Sequence, residues 1–202
     1  MSTISPSEAL TLPPAEDVFR ITVGLYERLV DQGDLVEDQP IELLNGVIVW
    51  KMPKGPRHDA CSARCRRAIE GLLGGVWHLR VESAVRVPDY SEPEPDLSIV
   101  RGESDDYTER HPEPPDVGLI VEIAETSLAR DRGTKRDLYA RAGIPAYWIV
   151  NLAARQVEAH GPPVACSYPP PSIFNEDQVV DLILDGSLFG RIAVADLLPK
   201  QP

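Results

Sequence analysis

The chain has 202 residues, of which 43% are hydrophobic and 26% charged, a composition typical of a water-soluble globular protein. It contains no apolar run near the roughly 20 residues of a membrane helix, and its first residues lack the basic start and apolar centre of a secretory signal. The net charge of −12 argues against tight binding to nucleic acid through overall charge alone.

The first half of the chain predicts two helices and a hairpin. Residues 1–14 are predicted to form a flexible arm, and residues 15–31 carry apolar side chains at helical spacing. Asn45-Gly46 separates the apolar runs of "PIELLNGVIVWKM", which predicts a tight β-hairpin. The stretch 56–75 then predicts an amphipathic helix that stops at Gly74-Gly75.

The cysteines indicate the cellular compartment. Their number is three, which argues against a disulfide framework and favours a reducing cytoplasm. Cys61 and Cys65 stand four residues apart on the second predicted helix, so we interpret both as core residues on its buried face.

The second half of the chain predicts alternating strands and helices. Residues 76–88 alternate between apolar and polar side chains, as a half-buried strand does. Four further elements follow in order: a strand in "PDLSIV", a strand in "VGLIVEIA", a helix between Ser127 and Gly143, and a strand in "IPAYWIVNL". A polar, proline-rich loop, 101–116, separates the first two.

This order of elements predicts the fold class. The nearly continuous apolar strands indicate burial on both faces, and a strand–helix–strand unit gives parallel pairing through a right-handed crossover. Further short strands are predicted over 155–184, with a closing strand and helical turn after them. We therefore expect a single α/β domain with a mixed central β-sheet flanked by helices.

Two acids are placed in stretches that otherwise predict sheet core. Asp96 opens one strand and Glu122 lies inside the next. If these strands are neighbours, both carboxylates reach one point at the edge of the sheet. Two close carboxylates repel each other, so such a pair shares a proton or holds a cation. Oxygen ligands suit Mg²⁺ or Mn²⁺ rather than Zn²⁺.

Charge is sorted along the chain. Residues 51–86 contain eight basic and three acidic side chains, and residues 128–141 contain five and two. Residues 87–125, between these blocks, contain twelve acids and two arginines. The basic segment 51–67 is therefore a candidate contact for the phosphate backbone of DNA, and solvated helix faces are the alternative explanation.

The motifs together resemble a known family. The order strand-"PD", strand-"E", helix resembles the PD-(D/E)XK nuclease superfamily. The segments "IELLNGVIVWKMPKGPRHDA", "EPEPDLSIV", "GLIVEIAETSLARDRGTKRDLYARAGIPAYWIVN" and "LFGRIAVADLLP" more closely resemble the Uma-two family of restriction-endonuclease-like proteins of bacteria. The resemblance covers residues 15–198 and implies a restriction-endonuclease-like core.

The same resemblance implies a metal site and a catalytic lysine. Asp96 and Glu122 would hold Mg²⁺ or Mn²⁺, with the backbone carbonyl of Ile123 as a further ligand. The superfamily places its lysine two residues after the second acid, where this chain has Ala124. In the Uma-two pattern a lysine recurs in the following helix, where Lys135 stands; a solvent-facing helix lysine is the alternative.

Glu42 and His58 match two further positions of the family. Glu42 would be an additional metal or water ligand, or else a surface strand acid. His58 would contact phosphate or assist proton transfer, or else make a hydrogen bond at the start of its helix. Asp131 is interpreted as a structural acid and Tyr139 as a core residue.

Two functions from different classes follow. The first is a Mg²⁺-dependent endonuclease that hydrolyses phosphodiester bonds of DNA, with a homodimer expected for a two-fold symmetric target. The second is a catalytically silent nuclease-fold protein that binds a nucleic-acid or protein partner, which the alanine at position 124 favours. A small-molecule hydrolase has no nucleophile motif to support it.

Overall fold

A six-stranded mixed sheet organises the chain in the computed structural model, which describes residues 14, 17–35 and 39–200. The predicted arm over 1–14 lies outside the described residues except for Pro14. The helices are α1 (Val23–Asp31), α2 (Pro56–Glu70), α3 (Leu128–Arg130), α4 (Arg136–Arg141) and α5 (Val194–Leu197). A π-helical turn, Asp131–Lys135, joins α3 to α4. Two short 3₁₀ helices, Ser104–Tyr107 and Pro114–Asp116, lie in the predicted polar loop.

The six strands of the central sheet are hydrogen-bonded side by side in the order in which they follow one another along the chain. These strands are β3 (Trp77–Val81), β4 (Leu97–Arg101), β5 (Val117–Ala124), β6 (Tyr147–Asn151), β7 (Gln156–His160) and β8 (Ser172–Asn175). Strands β5 and β6 pair in parallel, as predicted, and the other neighbours are antiparallel. The predicted mixed α/β fold class is therefore confirmed.

Two hairpins flank this sheet. The first pairs β1 (Ile41–Leu44) with β2 (Val47–Trp50), and the second pairs β9 (Val179–Leu184) with β10 (Ser187–Ala193). The predicted turn at Asn45-Gly46 is present, with left-handed φ angles of 50° and 78°. A side chain at position 46 would also meet Arg20 at 2.5 Å, so glycine is required here.

The core lies on both faces of β5 and β6, whose residues are all buried. On one face, Cys61, Cys65 and Ile69 of α2 pack against the sheet, as expected for core cysteines. On the other face, Leu138 and Tyr139 of α4 pack against it. Each buried aliphatic side chain contributes about 1.5–3 kcal/mol of hydrophobic stabilisation, which explains why uninterrupted apolar strands occupy the centre.

Three predicted elements are shorter than expected. The helix predicted over 56–75 ends at Glu70 rather than at Gly74-Gly75. The first helix begins at Val23 rather than at residue 15, because the hydroxyl of Thr22 accepts a hydrogen bond from the Leu25 N–H and caps the helix there. The predicted strand over 76–88 ends at Val81, because Glu82 has a left-handed φ of 48°. Within the described ranges, no helix is long and apolar enough to cross a membrane.

Candidate active site

A polar cavity of about 50 Å³ opens where β4 begins and β5 ends. This volume accommodates a few water-sized particles, since one water needs about 10–15 Å³ on the same measure. Its charged lining comprises six acids and four bases: Glu42, Glu94, Asp96, Glu122, Glu125, Asp131, Lys51, Lys54, Arg130 and Lys135. Acidic side chains thus outnumber basic ones in the lining by two, and His58 lines the cavity beside them.

Strand pairing brings Asp96 and Glu122 together. In the antiparallel register, Leu97 pairs with Val121, and continuing that register by one residue sets Asp96 opposite Glu122 on the same face. The Ile123 N–H, next to Glu122, donates to Asp96 Oδ2 at 2.7 Å. The two acids predicted to meet at the edge of the sheet therefore line one cavity.

Asp96 is held as a carboxylate by several donors. His58 Nε2 lies 3.2 Å and Lys54 Nζ 3.1 Å from Asp96 Oδ1. Burial raises the pKa of Asp96, but the hydrogen bond and charge of His58, the charge of Lys54 and the Ile123 N–H outweigh it and bring this pKa to about 2. Asp96 is therefore ionised at neutral pH.

Glu122 has the opposite electrostatic character. Its side chain accepts hydrogen bonds at Oε1 from Lys135 Nζ and the Tyr139 hydroxyl, both at 2.9 Å. Burial, opposed by the attraction of Lys135 and assisted by the neighbouring acids Asp131, Asp96 and Glu42, raises the pKa of Glu122 to about 8. The two carboxylates therefore have well-separated pKa values, a pattern typical of functional sites.

Lys135 reaches the site from the helical segment that follows β5. The π-helical turn Asp131–Lys135 carries it over the end of the strand, where its side chain is buried. Its ammonium lies 2.9 Å from Glu122 Oε1 and 3.2 Å from Glu42 Oε2, and these two carboxylates hold its pKa above the ordinary value despite burial. The alternative of a solvent-facing helix lysine is wrong.

Glu42 and His58 also lie in the site. Glu42 is 2% exposed, which excludes the alternative of a surface strand acid. Its Oε2 accepts a hydrogen bond from the Glu94 N–H at 3.3 Å. His58 faces Asp96 through Nε2, whereas its buried Nδ1 has no hydrogen-bond partner among the described residues.

Three further residues lie in the site, although their sequence positions did not predict the contacts that they make there. Lys54 belongs to the basic segment predicted to contact DNA, yet it contacts Asp96. Asp131, interpreted as structural, is buried in the cavity lining and accepts a hydrogen bond from the Ser127 hydroxyl at 2.5 Å.

Tyr139, interpreted as core, is buried but directs its hydroxyl to Glu122. Its spacing of four residues from Lys135 was the available signal, because such pairs share a helix face.

Only some of the arginines of the basic helix α2 are exposed without a described partner in the protein. Arg64 donates to the Ala195 carbonyl at 3.0 Å, and Arg66 pairs with Glu70 at 2.9 Å. Arg57 and Arg67 are exposed on the same helix. Segment 51–67 thus combines a contact to the site, through Lys54, with an exposed basic surface.

The donors of the cavity fit a hard divalent cation. Two carboxylates and a main-chain carbonyl are the oxygen ligands that Mg²⁺ and Mn²⁺ accept. Asp96 and Glu122 line the cavity, and so does Ile123. In the part of the chain that the structure describes, no three His, Cys, Asp or Glu side chains are grouped so that side chains alone could hold a metal ion.

Comparisons with known proteins agree with this architecture. A solved structure titled as a putative nuclease belonging to DUF820 from Anabaena variabilis ATCC 29413 superposes with a TM-score of 0.67 at 19% identity, covering 88% of this chain and 97% of that one. At this identity the match shows a shared fold. No curated protein matches the chain. The model of the Uma2 family, described as "Putative restriction endonuclease", matches residues 26–190. The resemblance stated from the sequence motifs is thereby confirmed, and the chain belongs to the Uma2 family.

Proposed function

We propose that this protein is a Mg²⁺- or Mn²⁺-dependent endonuclease that hydrolyses phosphodiester bonds of DNA. The observation that carries the proposal is the meeting of Asp96, Glu122 and Lys135 in one cavity. Membership of a nuclease family supports the reaction class, and the oxygen-rich lining supports the choice of cation.

In this proposal Asp96 and Glu122, with the carbonyl of Ile123, hold the cation. The cation, when bound, supplies polarisation of the scissile phosphate and activation of a water molecule. His58 keeps Asp96 oriented through Nε2. Tyr139 and Lys135 both bind Oε1 of Glu122, and no hydrogen bond from the described residues reaches its Oε2, which leaves that oxygen for the cation.

Lys135 contributes the fixed positive charge of the reaction. An ammonium has three N–H donors, and two are accounted for by Glu122 and Glu42. The third donor is available for the attacking water or for a phosphate oxygen, whose negative charge grows as water adds to phosphorus and the ester bond breaks. The lysine missing from position 124 is therefore replaced in function by Lys135.

The DNA backbone would lie along the basic side of the cavity. Lys51, Lys54 and Arg130 line the cavity and are partly exposed, and Arg57 and Arg67 extend the basic surface along α2. Local positive charge of this kind attracts phosphates even in an acidic protein. A homodimer would present two such sites to the two strands, which sedimentation of the protein with and without a DNA duplex would test.

The decisive experiment measures nicking of supercoiled plasmid DNA with Mg²⁺ or Mn²⁺. Wild-type protein should nick, whereas Asp96→Asn and Glu122→Gln should lose activity by at least a hundredfold while remaining folded. Glu158→Gln is the matched control, since Glu158 is an equally buried acid that pairs with Arg132 away from the cavity. Absence of cleavage by wild-type protein over varied DNA substrates would favour the silent-binder function instead.

A further inference from the structure

Lys54 occupies an unusual position for a basic residue of a DNA-binding segment. It lies in the connection between β2 and α2, and its ammonium bridges two acids, at 3.1 Å from Asp96 Oδ1 and 3.0 Å from Glu82 Oε1. Its side chain is 30% exposed, whereas that of Lys135 is 7% exposed. The site thus contains one buried lysine and one partly exposed lysine at its mouth.

The contact of Lys54 with Asp96 competes with cation binding. Asp96 Oδ2 accepts a hydrogen bond from the Ile123 N–H, while Lys54 and His58 both face Oδ1, so a cation that binds Oδ1 meets the ammonium of Lys54. An ammonium and a divalent cation repel each other at such distances, and partial burial reduces the screening by water. Lys54 must therefore leave Asp96 when the site is loaded.

The mouth of the cavity can receive the ammonium of Lys54 once a cation displaces it from Asp96. Glu82 remains within reach, and the flexible four-carbon stem of lysine allows the ammonium to turn outward. The group that arrives there in a nuclease is the phosphate of the substrate, for which an ammonium is a suitable point charge.

We propose that Lys54 is a ligand for the substrate phosphate. In the metal-free protein Asp96 binds its ammonium, and a divalent cation that binds Asp96 displaces the ammonium. This inference rests on the proposed function, because it assigns the residue that meets the substrate at the same site. Cation binding and phosphate binding are then coupled, because a cation in the site releases the lysine that binds phosphate.

The test compares Lys54→Met with Lys51→Met, because Lys51 lines the same cavity but pairs with Glu94 instead of Asp96. Titration calorimetry with MnCl₂ measures cation affinity. Fluorescence anisotropy in Mn²⁺, with a phosphorothioate DNA duplex that resists cleavage, measures substrate affinity over a series of salt concentrations.

Lys54→Met should bind Mn²⁺ about threefold to tenfold more tightly, since the competing charge is gone. It should bind the duplex about tenfold more weakly, with a salt slope lower by about one, as expected for a lost phosphate contact. Lys51→Met should change the Mn²⁺ affinity less than about twofold. A merely structural role of Lys54 would weaken both affinities together.

Three results would overturn the inference. Equal tightening of Mn²⁺ binding in both variants would make the contact with Asp96 irrelevant, and an unchanged duplex affinity of Lys54→Met would remove it from the phosphate site. A wild-type protein that binds no Mn²⁺ would overturn this inference and the proposed function together. Wild-type protein that binds Mn²⁺ and duplex but does not nick plasmid would overturn only the nuclease activity.

Discussion

The ammonium of Lys135 lies 2.9 Å from Glu122 Oε1, although Ala124 occupies the place where the superfamily pattern puts its lysine. The π-helical turn after α3 makes this possible, because its wider winding alters the direction of the side chains that follow. In the proposed function, the positive charge that the superfamily pattern places at the end of β5 comes instead from the helical segment after it.

Replacing Lys135 by methionine should destabilise the protein and abolish nicking. Its removal leaves Glu122 and Glu42, which are 4% and 2% exposed, without their shared counter-charge. Breaking a buried ion pair from one side costs about 3–5 kcal/mol. We expect a loss of this size in the unfolding free energy at pH 9.5, above the pKa of about 8 of Glu122, measured by urea denaturation. At pH 5 the loss should be smaller, because Glu122 is then protonated.

Arg136→Met serves as the control for Lys135→Met. Arg136 is the next residue along the chain and pairs with Asp137 at the surface, where both side chains are at least 40% exposed. Exposed pairs contribute about 0–1 kcal/mol, so this variant should remain within that range at both pH values. An equal loss in both variants would show that charge removal from the helix, rather than the contact with Glu122, causes the destabilisation.

Replacing Tyr139 by phenylalanine should weaken cation binding. The Tyr139 hydroxyl donates to Glu122 Oε1, and its loss leaves Lys135 as the remaining donor to that oxygen. We expect Mn²⁺ affinity, measured by calorimetry, to fall about threefold to tenfold, with about 1 kcal/mol lost from the unfolding free energy.

Tyr147→Phe separates this effect from general damage to the core. Tyr147 is also fully buried, lies in ring contact with Tyr139 at 5.2 Å, and donates its hydroxyl to the Asp131 carbonyl at 3.0 Å. It should lose similar stability, yet keep its Mn²⁺ affinity. If both variants bind Mn²⁺ equally weakly, Tyr139 has no specific role in orienting Glu122.

Much of the fold was predictable because local chemistry and tertiary packing agree. The apolar runs of β5 and β6 permit only buried positions, and Asn45-Gly46 specifies a tight turn by its left-handed angles. The strand predicted over 76–88 is too long because the alternation of apolar and polar residues continues in the sequence after Val81. The left-handed Glu82, whose N–H donates to the Asp96 carbonyl, depends on a distant contact that alternation does not encode.

The site was predictable to the extent that its residues lie on strands. Antiparallel pairing of β4 with β5 brings Asp96 and Glu122 to one face once the neighbours are known. The position of Lys135 depends on a π-helical turn, and that of Lys54 on an irregular connection; neither has a periodic signature. The pairing of Lys54 with Asp96 joins residues 42 positions apart through the tertiary fold alone.

Cation binding should release a proton near neutral pH. The pKa of Glu122 is raised from 4.5 to about 8, first by burial and then by the neighbouring acids, so the metal-free carboxyl is largely protonated at pH 7. A cation that binds Glu122 must displace this proton, so Mn²⁺ affinity should rise with pH up to about 8 and then level off. Calorimetry at pH 7 in two buffers of different ionisation enthalpy measures the protons released. Glu122→Gln should release none, and equal proton release in this variant would contradict the assignment.

A second raised pKa, outside the cavity, should control stability. Burial and the nearby Glu27 together raise the pKa of Glu92 from 4.5 to about 7, and Arg86 opposes them. Its Oε2 has no hydrogen-bond partner in the described part of the chain. Because the folded-state pKa exceeds the unfolded value, its contribution to stability is complete below about pH 4.5 and is lost as pH rises through about 7.

Glu92→Gln should therefore stabilise the protein at pH 8 but not at pH 4.5. A shift from 4.5 to about 7 corresponds to at most about 3 kcal/mol, and urea denaturation at the two pH values measures it. Glu113→Gln is the matched control, since Glu113 pairs with the same Arg86 but is 40% exposed, and its effect should stay below about 1 kcal/mol at both pH values. A pH-independent effect of Glu92→Gln would mean that Glu92 is ionised in the folded protein throughout, with Arg86 rather than a proton neutralising its charge.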